Sequence, residues 1–312
     1  MNLGEKLKQY REDKNFTQAY IAELLNVKPA TVSKYELNQL EPNIEVLKKY
    51  GEIFKITLDE LLREEDISLK LEDLNILEIL KEQKDMKMKG NLYHNTQIAF
   101  TYNTNHIEGS TLTEEQTRFI FETNTILFED KTIANVNDIF ETVNHFMLID
   151  YMIDNAKETL TEEMIKEFHR ILKNGTSDSL KDWFAVGDYK KLSNTVGGLK
   201  TSSPKEVQKH MQKLLEWYNS IENVTIKDII EFHAKFEKIH PFQDGNGRIG
   251  RLIAFKECLK NNIMPFIILD KDKLFYYRGL KEYQSGGEKG FLIDTCLNAQ
   301  DQYEKMVKEY LL

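Results

Sequence analysis

The chain has 312 residues, 41% of them hydrophobic and 30% charged, with only 5 prolines. Its formal net charge of −9 excludes a protein that coats nucleic acid along its whole surface, while a local basic face stays possible. No run is apolar and long enough to cross a bilayer, and the opening MNLGEKLKQYRED lacks a signal-peptide stretch, so a cytoplasmic protein without a membrane partner is expected. Cys258 and Cys296 lie far apart in apolar helical surroundings and read as reduced core residues.

Proline poverty with abundant Leu, Lys, Glu and Ile predicts an all-α chain. The length suits a small domain followed by one of about 200 residues. Apolar spacing in residues 1–65 predicts five short helices: 3–13, 18–25, 29–37, 44–54 and 58–62. Thr17 is an N-cap, Pro29 sits where a first turn tolerates it, and Asn38 and Pro42 stop the third helix. Ile21, Leu24, Leu25, Val27, Val32 and Tyr35 are expected in the core. Residues 66–90 read as a linker helix, with Leu71, Leu74, Leu77 and Leu80 as its stripe and Gly90 as its end. Residues 91–312 again read as helices, at about 96–107, 113–122, 136–155, 162–172, 204–221, 226–239, 245–262, 271–284 and 289–310. The segment GDYKKLSNTVGGLK, Gly187 to Lys200, has no helical stripe and is expected to form a small β-hairpin flap.

The run IHPFQDGNGRIGR, from Ile239 to Arg251, carries the chemistry. His240 falls at a helix-to-loop junction, and Gly245, Asn246 and Gly247 open the next helix. Glycines at a helix start let backbone N–H groups approach an anion, and the helix dipole adds positive potential. Arg248 and Arg251, three residues apart, share a face near that positive end and suit bidentate phosphate recognition. Asp244 can serve Mg²⁺, which prefers one or two carboxylates together with phosphate oxygens and water. His240 can accept a proton near neutral pH. An isolated Asn-Gly is usually only a turn; the ordered set of base, carboxylate, glycines and arginines within twelve positions points to attack of a hydroxyl on phosphorus.

HPFQDGNGRIGR matches the Fic family motif, HxFx(D/E)GNGRxxR, at every defined position, and the resemblance runs from about Asn91 to the C-terminus. It implies a protein adenylyltransferase that moves AMP from Mg-ATP to a Ser, Thr or Tyr hydroxyl of a target protein or of itself. By this resemblance His240, Asn246 and Arg248 are catalytic and Asp244 holds Mg²⁺. Gly245, Asn246, Gly247, Arg248, Arg251 and Tyr277 bind the nucleotide, and Tyr189, Lys190 and Val196 in the flap meet the target. Lys190 stands where many relatives have Arg. Thr104 to Gly109 fits the family's inhibitory pattern, (S/T)xxxE(G/N), at the end of a predicted helix of about 96–108. Thr104, Glu108 and Gly109 would then form a brake, with Glu108 on Arg251 in place of the γ-phosphate. The alternative is that Glu108 orients a water to remove AMP from a modified target, as in some relatives.

Residues 1–65 resemble the helix-turn-helix domains of phage-repressor (Xre) type. That resemblance implies a recognition helix over 28–37, with Gln18, Lys28, Thr31, Ser33, Lys34 and Asn38 toward a DNA operator, and a homodimer. A protein-interaction role is the alternative, because fold does not fix function. A transcriptional regulator whose catalytic half senses nucleotide or modifies itself is the other reading of the whole chain.

Overall fold

The computed structural model describes residues 3–14, 16–58, 61, 74–127 and 133–311. It divides into two compact units, Met1–Leu74 and Asn75–Leu312.

The N-terminal unit is built from α1 (Leu3–Asp13), α2 (Gln18–Leu25), α3 (Pro29–Glu36) and α4 (Ile44–Phe54). Thr17 Oγ1 caps α2 by accepting from Tyr20 N–H, and Asn43 caps α4 by accepting from Val46 N–H. Helix α3 ends at Glu36, one residue earlier than expected, and Asn38 turns the chain out with φ 52°. Leu7, Ile21, Leu25, Val32, Leu47, Tyr50 and Phe54 form the core. Leu24 was expected there but is 44% exposed. Neighbouring helix positions point about 100° apart, and Leu25 takes the inward place. Two glutamate-linked contacts fasten the helices: Arg11 donates to both carboxylate oxygens of Glu36 at 2.6 and 3.0 Å, and Gln18 donates to Glu36 at 2.8 Å. The helix expected at 58–62 and the first part of the 66–90 linker lie largely outside the described residues.

The C-terminal unit holds α5 (Ile76–Met86), α6 (Leu92–Ile107), α7 (Glu114–Thr123), α8 (Val136–Asp154), α9 (Glu162–Lys173), α10 (Pro204–Asn219), α11 (Ile226–Ile239), α12 (Asn246–Lys260), α13 (Lys273–Gln284) and α14 (Gly290–Leu311). Helix α6 begins four residues before the predicted start, because Asn91 caps it by accepting from His94 N–H. Its polar residues Thr96, Gln97, Thr101, Thr104 and Asn105 are buried, so no amphipathic stripe marks its extent. Helix α12 is buried on nearly all sides and packs on α6, α8, α9 and α11, which makes it the central helix of the unit. Cys258 and Cys296 are buried and free, as the sequence suggests. Two short antiparallel strands, β1 (Thr195–Val196) and β2 (Leu199–Lys200), pair Thr195 with Lys200 and Val196 with Leu199. Gly197 and Gly198 make the turn with φ of 55° and 80°. The predominantly helical fold with one small hairpin follows the expectation. No helix among the described residues is long and apolar enough to cross a membrane.

Candidate active site

Helix α11 ends at His240, whose left-handed backbone (φ 53°) turns the chain sharply into the loop. A side chain in this region of backbone space is uncommon and is held there by its surroundings. The loop is closed by Asn246: its Oδ1 accepts from Phe242 N–H at 2.8 Å and its Nδ2 donates to Phe242 O at 2.9 Å. The Asn246 side chain is therefore spent on the loop backbone and does not line the cavity, so its part is to shape the cradle. Gly245, with φ 81°, caps α12 and leaves the first-turn N–H groups of the helix open to an anion.

His169 from α9 lies under the loop, stacked on Phe242 with centroids 4.0 Å apart. Gly187 N–H donates to its Nδ1 at 2.9 Å, which leaves the proton on Nε2, facing Asp244 O at 3.2 Å. Burial lowers its pKa to about 3, so it is a neutral structural pin. Nothing in the motif points to it, since it stands 75 residues from the Asp244 it contacts.

Arg251 and Glu108 meet at 2.8 Å between Nη2 and Oε1. Arg251 Nε also donates to Thr104 Oγ1 at 2.6 Å, and Nη2 to Thr104 O at 3.0 Å. Burial opposes the Arg251 charge, but Glu108 outweighs it and holds the guanidinium above its ordinary value. The Glu108 carboxylate sits against the first turn of α12: a Cβ on Gly247 would lie 2.2 Å from Oε1. Thus Gly247 admits an anion at the positive end of the helix, and Glu108 supplies one. Gly109, with φ 99°, turns the chain away just after it. Tyr277 on α13 donates its hydroxyl to Ile107 O at 2.7 Å, one residue before Glu108.

A second network holds Asp244. Its Oδ2 accepts from Lys173 Nζ at 2.7 Å and from Arg248 Nη2 at 3.1 Å. Burial would raise the Asp244 pKa, but Arg248 and Lys173 keep it well below the usual carboxylate range. Arg248 also pairs with Glu141 of α8, and it is 4% exposed, beneath the cavity surface. Glu141, Asp178 and Asp244 come close enough to hold a metal ion. Yet Lys173 Nζ bonds all three, so an ammonium already occupies that centre. The Asp244 side chain keeps about half its surface exposed (51%), which fits one carboxylate ligand for Mg²⁺ beside phosphate oxygens. Lys173, Glu141 and Glu237 carry no signal in the motif, because α8 and α9 supply the first two and Glu237 precedes it.

These groups face a cavity of about 640 Å³ lined by Glu108, Val196, Leu199, Glu237, His240, Gly247, Arg251 and Tyr277, among others. Burial, with Lys190 adding to it, lowers the His240 pKa to about 4, so the imidazole is neutral at physiological pH and able to take a proton. Of the flap residues, Val196 lines the cavity, while Tyr189 and Lys190 turn inward. Tyr189 donates to Glu162 at 2.8 Å, and Lys190 Nζ donates to Asn194 Oδ1 and Thr201 Oγ1, both at 2.7 Å. Lys190 N–H and Asn194 Nδ2 reach Pro241 O and Phe242 O, so these residues tether the base of the hairpin to the loop.

In the N-terminal unit Lys28, Lys34 and Asn38 are exposed and Thr31 and Ser33 half-buried. Gln18 and Asn38 have structural tasks as well, the first on Glu36 and the second accepting from Gly4 N–H at 2.9 Å.

Parts of both units are similar to known proteins. The profile of the Fic/DOC family matches residues 159–257, and that of the helix-turn-helix family matches residues 7–61. The protein adenylyltransferase Fic of Nematostella vectensis is 29% identical over 195 residues, covering 61% of this chain and 44% of the relative. The protein adenylyltransferase fic-1 of Caenorhabditis elegans is 25% identical over 217 residues, covering 68% and 41%. The chain thus spans less than half the length of these curated relatives. Among solved structures, a Fic domain containing signaling protein from Bacteroides thetaiotaomicron superposes with a TM-score of 0.60 at 23% identity, over 75% of this chain and 94% of that one. Fic-1 of C. elegans superposes with a TM-score of 0.57 at 19% identity, over 96% and 85%. These two likenesses bear on the fold. The matched profiles show a Fic/DOC family domain over residues 159–257, preceded by a helix-turn-helix domain over residues 7–61.

Proposed function

We propose that this chain is an autoinhibited protein adenylyltransferase that moves AMP from Mg-ATP to a Ser, Thr or Tyr hydroxyl of a protein or of itself. The observation that carries the reading is the anion seat at the start of α12, with Glu108 on Arg251 at its edge and neutral His240 in the same cavity. In the reaction His240 Nε2 takes the hydroxyl proton as the oxygen attacks the α-phosphorus. The bond from that phosphorus to the bridging oxygen breaks, and pyrophosphate leaves. The N–H groups around Gly245 and Gly247 face the charge that builds on the phosphate oxygens. Asp244 would hold Mg²⁺, which supplies charge neutralisation to the triphosphate when bound. Val196 and Leu199 on the hairpin support an extended target segment at the cavity mouth.

The brake is a competition for one guanidinium. While Glu108 occupies Arg251 Nη2, a γ-phosphate cannot take the same donors. A second reading, hydrolytic removal of AMP from a modified protein, draws on the same placement: Glu108 is 30% exposed and lines the cavity with His240, where it can orient a water. The helix-turn-helix domain would couple the enzyme to a DNA operator as a homodimer in the cytoplasm, through exposed Lys28 and Lys34 and half-buried Thr31 and Ser33. The test is incubation of wild type and Glu108→Gly with Mg²⁺ and α-labelled ATP, read by intact mass. An AMP adduct that grows in the variant supports transfer, whereas release of AMP from a premodified protein by wild type alone supports removal.

A further inference from the structure

One carboxyl group in the cavity has no part in that scheme. Glu237 lies one turn before His240 on α11, is 5% exposed, and faces the cavity between His240 and Arg251. Its Oε2 is 3.8 Å from His240 Nδ1, and both Glu237 Oε1 and His240 Nδ1 are buried without a hydrogen-bond partner. Helix α12 is notched to admit the group: a Cβ on Gly250 would lie 2.6 Å from Glu237 Oε1. A neutral imidazole that works as a base at Nε2 carries its proton on Nδ1, and that proton needs a partner. Among the described residues, Glu237 is the one whose carboxylate comes within 4 Å of Nδ1.

Resting on the transferase reading above, we propose that Glu237 is a positioning residue for His240: its carboxylate fixes the imidazole through Nδ1–H and stabilises the imidazolium formed when Nε2 takes the hydroxyl proton. A turn of either side chain closes the 3.8 Å gap to hydrogen-bond length, as such contacts tighten when substrate binds. The charged and titratable groups around the pair are Glu108 at the end of α6, His233 on α11, Arg251 on α12, Tyr276 on α13, and Lys190 and Asp244 beside His240. Burial, with Glu108 adding to it against Arg251, raises the Glu237 pKa to about 8. The sign follows directly. Below that value the carboxyl is neutral and gives the imidazolium little help; above it the anion makes His240 a stronger base, so transfer speeds up as pH rises through it.

The experiment uses the full chain in the Glu108→Gly background, with initial AMP incorporation from Mg-ATP followed between about pH 6 and 9. Glu237→Gln is expected to lower kcat on the order of 10- to 100-fold, to leave KM for ATP within about threefold, and to remove the rising limb. Glu237→Asp should restore part of the limb. In parallel, the ring ¹⁵N resonances of His240 are titrated with and without Glu237→Gln, identified by their loss in His240→Ala. They should shift with a midpoint near pH 8 as Glu237 ionises beside Nδ1, and the Gln variant should lose that step. An unchanged pH profile with no Glu237-dependent shift of the His240 ring near pH 8 overturns the proposal, as does a loss confined to KM for ATP. Should no variant transfer AMP, the transferase reading fails, and the titration alone decides Glu237: a His240 ring shift near pH 8 that Glu237→Gln removes upholds its hold on His240, and the absence of that shift in the parent refutes it.

Discussion

Around α12 the side chains that suggest function turn inward, onto one another and onto residues of α6, α8 and α9; around α3 they spread outward with little between them. Arg251, Arg248 and Asp244 are each engaged by charged partners distant in sequence, at separations of 143, 107 and 71 residues. Lys28 and Lys34 stand exposed at the two ends of α3, and Gln18 and Asn38 spend their amides on the fold. Convergence of this kind limits the chemistry to a few options. A presented surface leaves the partner open, because a helix-turn-helix scaffold serves DNA and protein contacts alike.

The comparison can be broken most directly at His240. His240→Ala should cut AMP transfer by about 10²- to 10⁴-fold in the Glu108→Gly background, and transfer within threefold of the parent there would remove the imidazole from the reaction. Next comes the brake. Glu108→Gly should raise initial AMP incorporation on the order of tenfold or more, since about 1.4 kcal/mol of lost competition already gives that factor. Equal rates in the two proteins would show that the Arg251 contact restrains nothing.

The N-terminal unit should prove more sensitive in stability than in recognition. Glu36→Ala leaves the guanidinium of Arg11 without the carboxylate it meets at 2.6 Å, and removing one member of a buried pair costs about 3 kcal/mol. Urea unfolding of that unit would check it, and an unmoved midpoint would mean the pair is dispensable. A smaller effect is expected for Glu237→Gln on stability. The folded-state pKa near 8 lies above the unfolded value, so the stability that Glu237 contributes is complete at low pH and is lost as pH rises toward 8. The Gln variant lacks that loss, and its Tm advantage over wild type should widen from about pH 5 to 8. Smallest of all, replacing Thr31 and Lys34 together should weaken any DNA complex and reduce its salt slope by about one. An unaltered slope would move the helix-turn-helix domain toward protein contacts.

What could be read from the chain alone was local. Helix starts at Thr17, Pro29 and Thr113 follow from capping chemistry within four residues, and the Gly-Gly turn of the hairpin follows from positive φ. The loop from His240 to Gly247 is likewise set within one short stretch, since Asn246 closes it on Phe242 only four positions away. Tertiary structure decided the rest. It turned Lys190 inward and Leu24 outward, carried α6 back to Leu92 on a buried polar face, and set Lys173 among the three carboxylates where a metal ion was conceivable. It also brought His169 and Glu141 to the motif, whereas Glu108 on Arg251 was already implied by the family resemblance. The reason is physical: capping and turn geometry act over a few bonds, whereas burial, and the pairing of charge that burial demands, depends on which distant helices share the same interior.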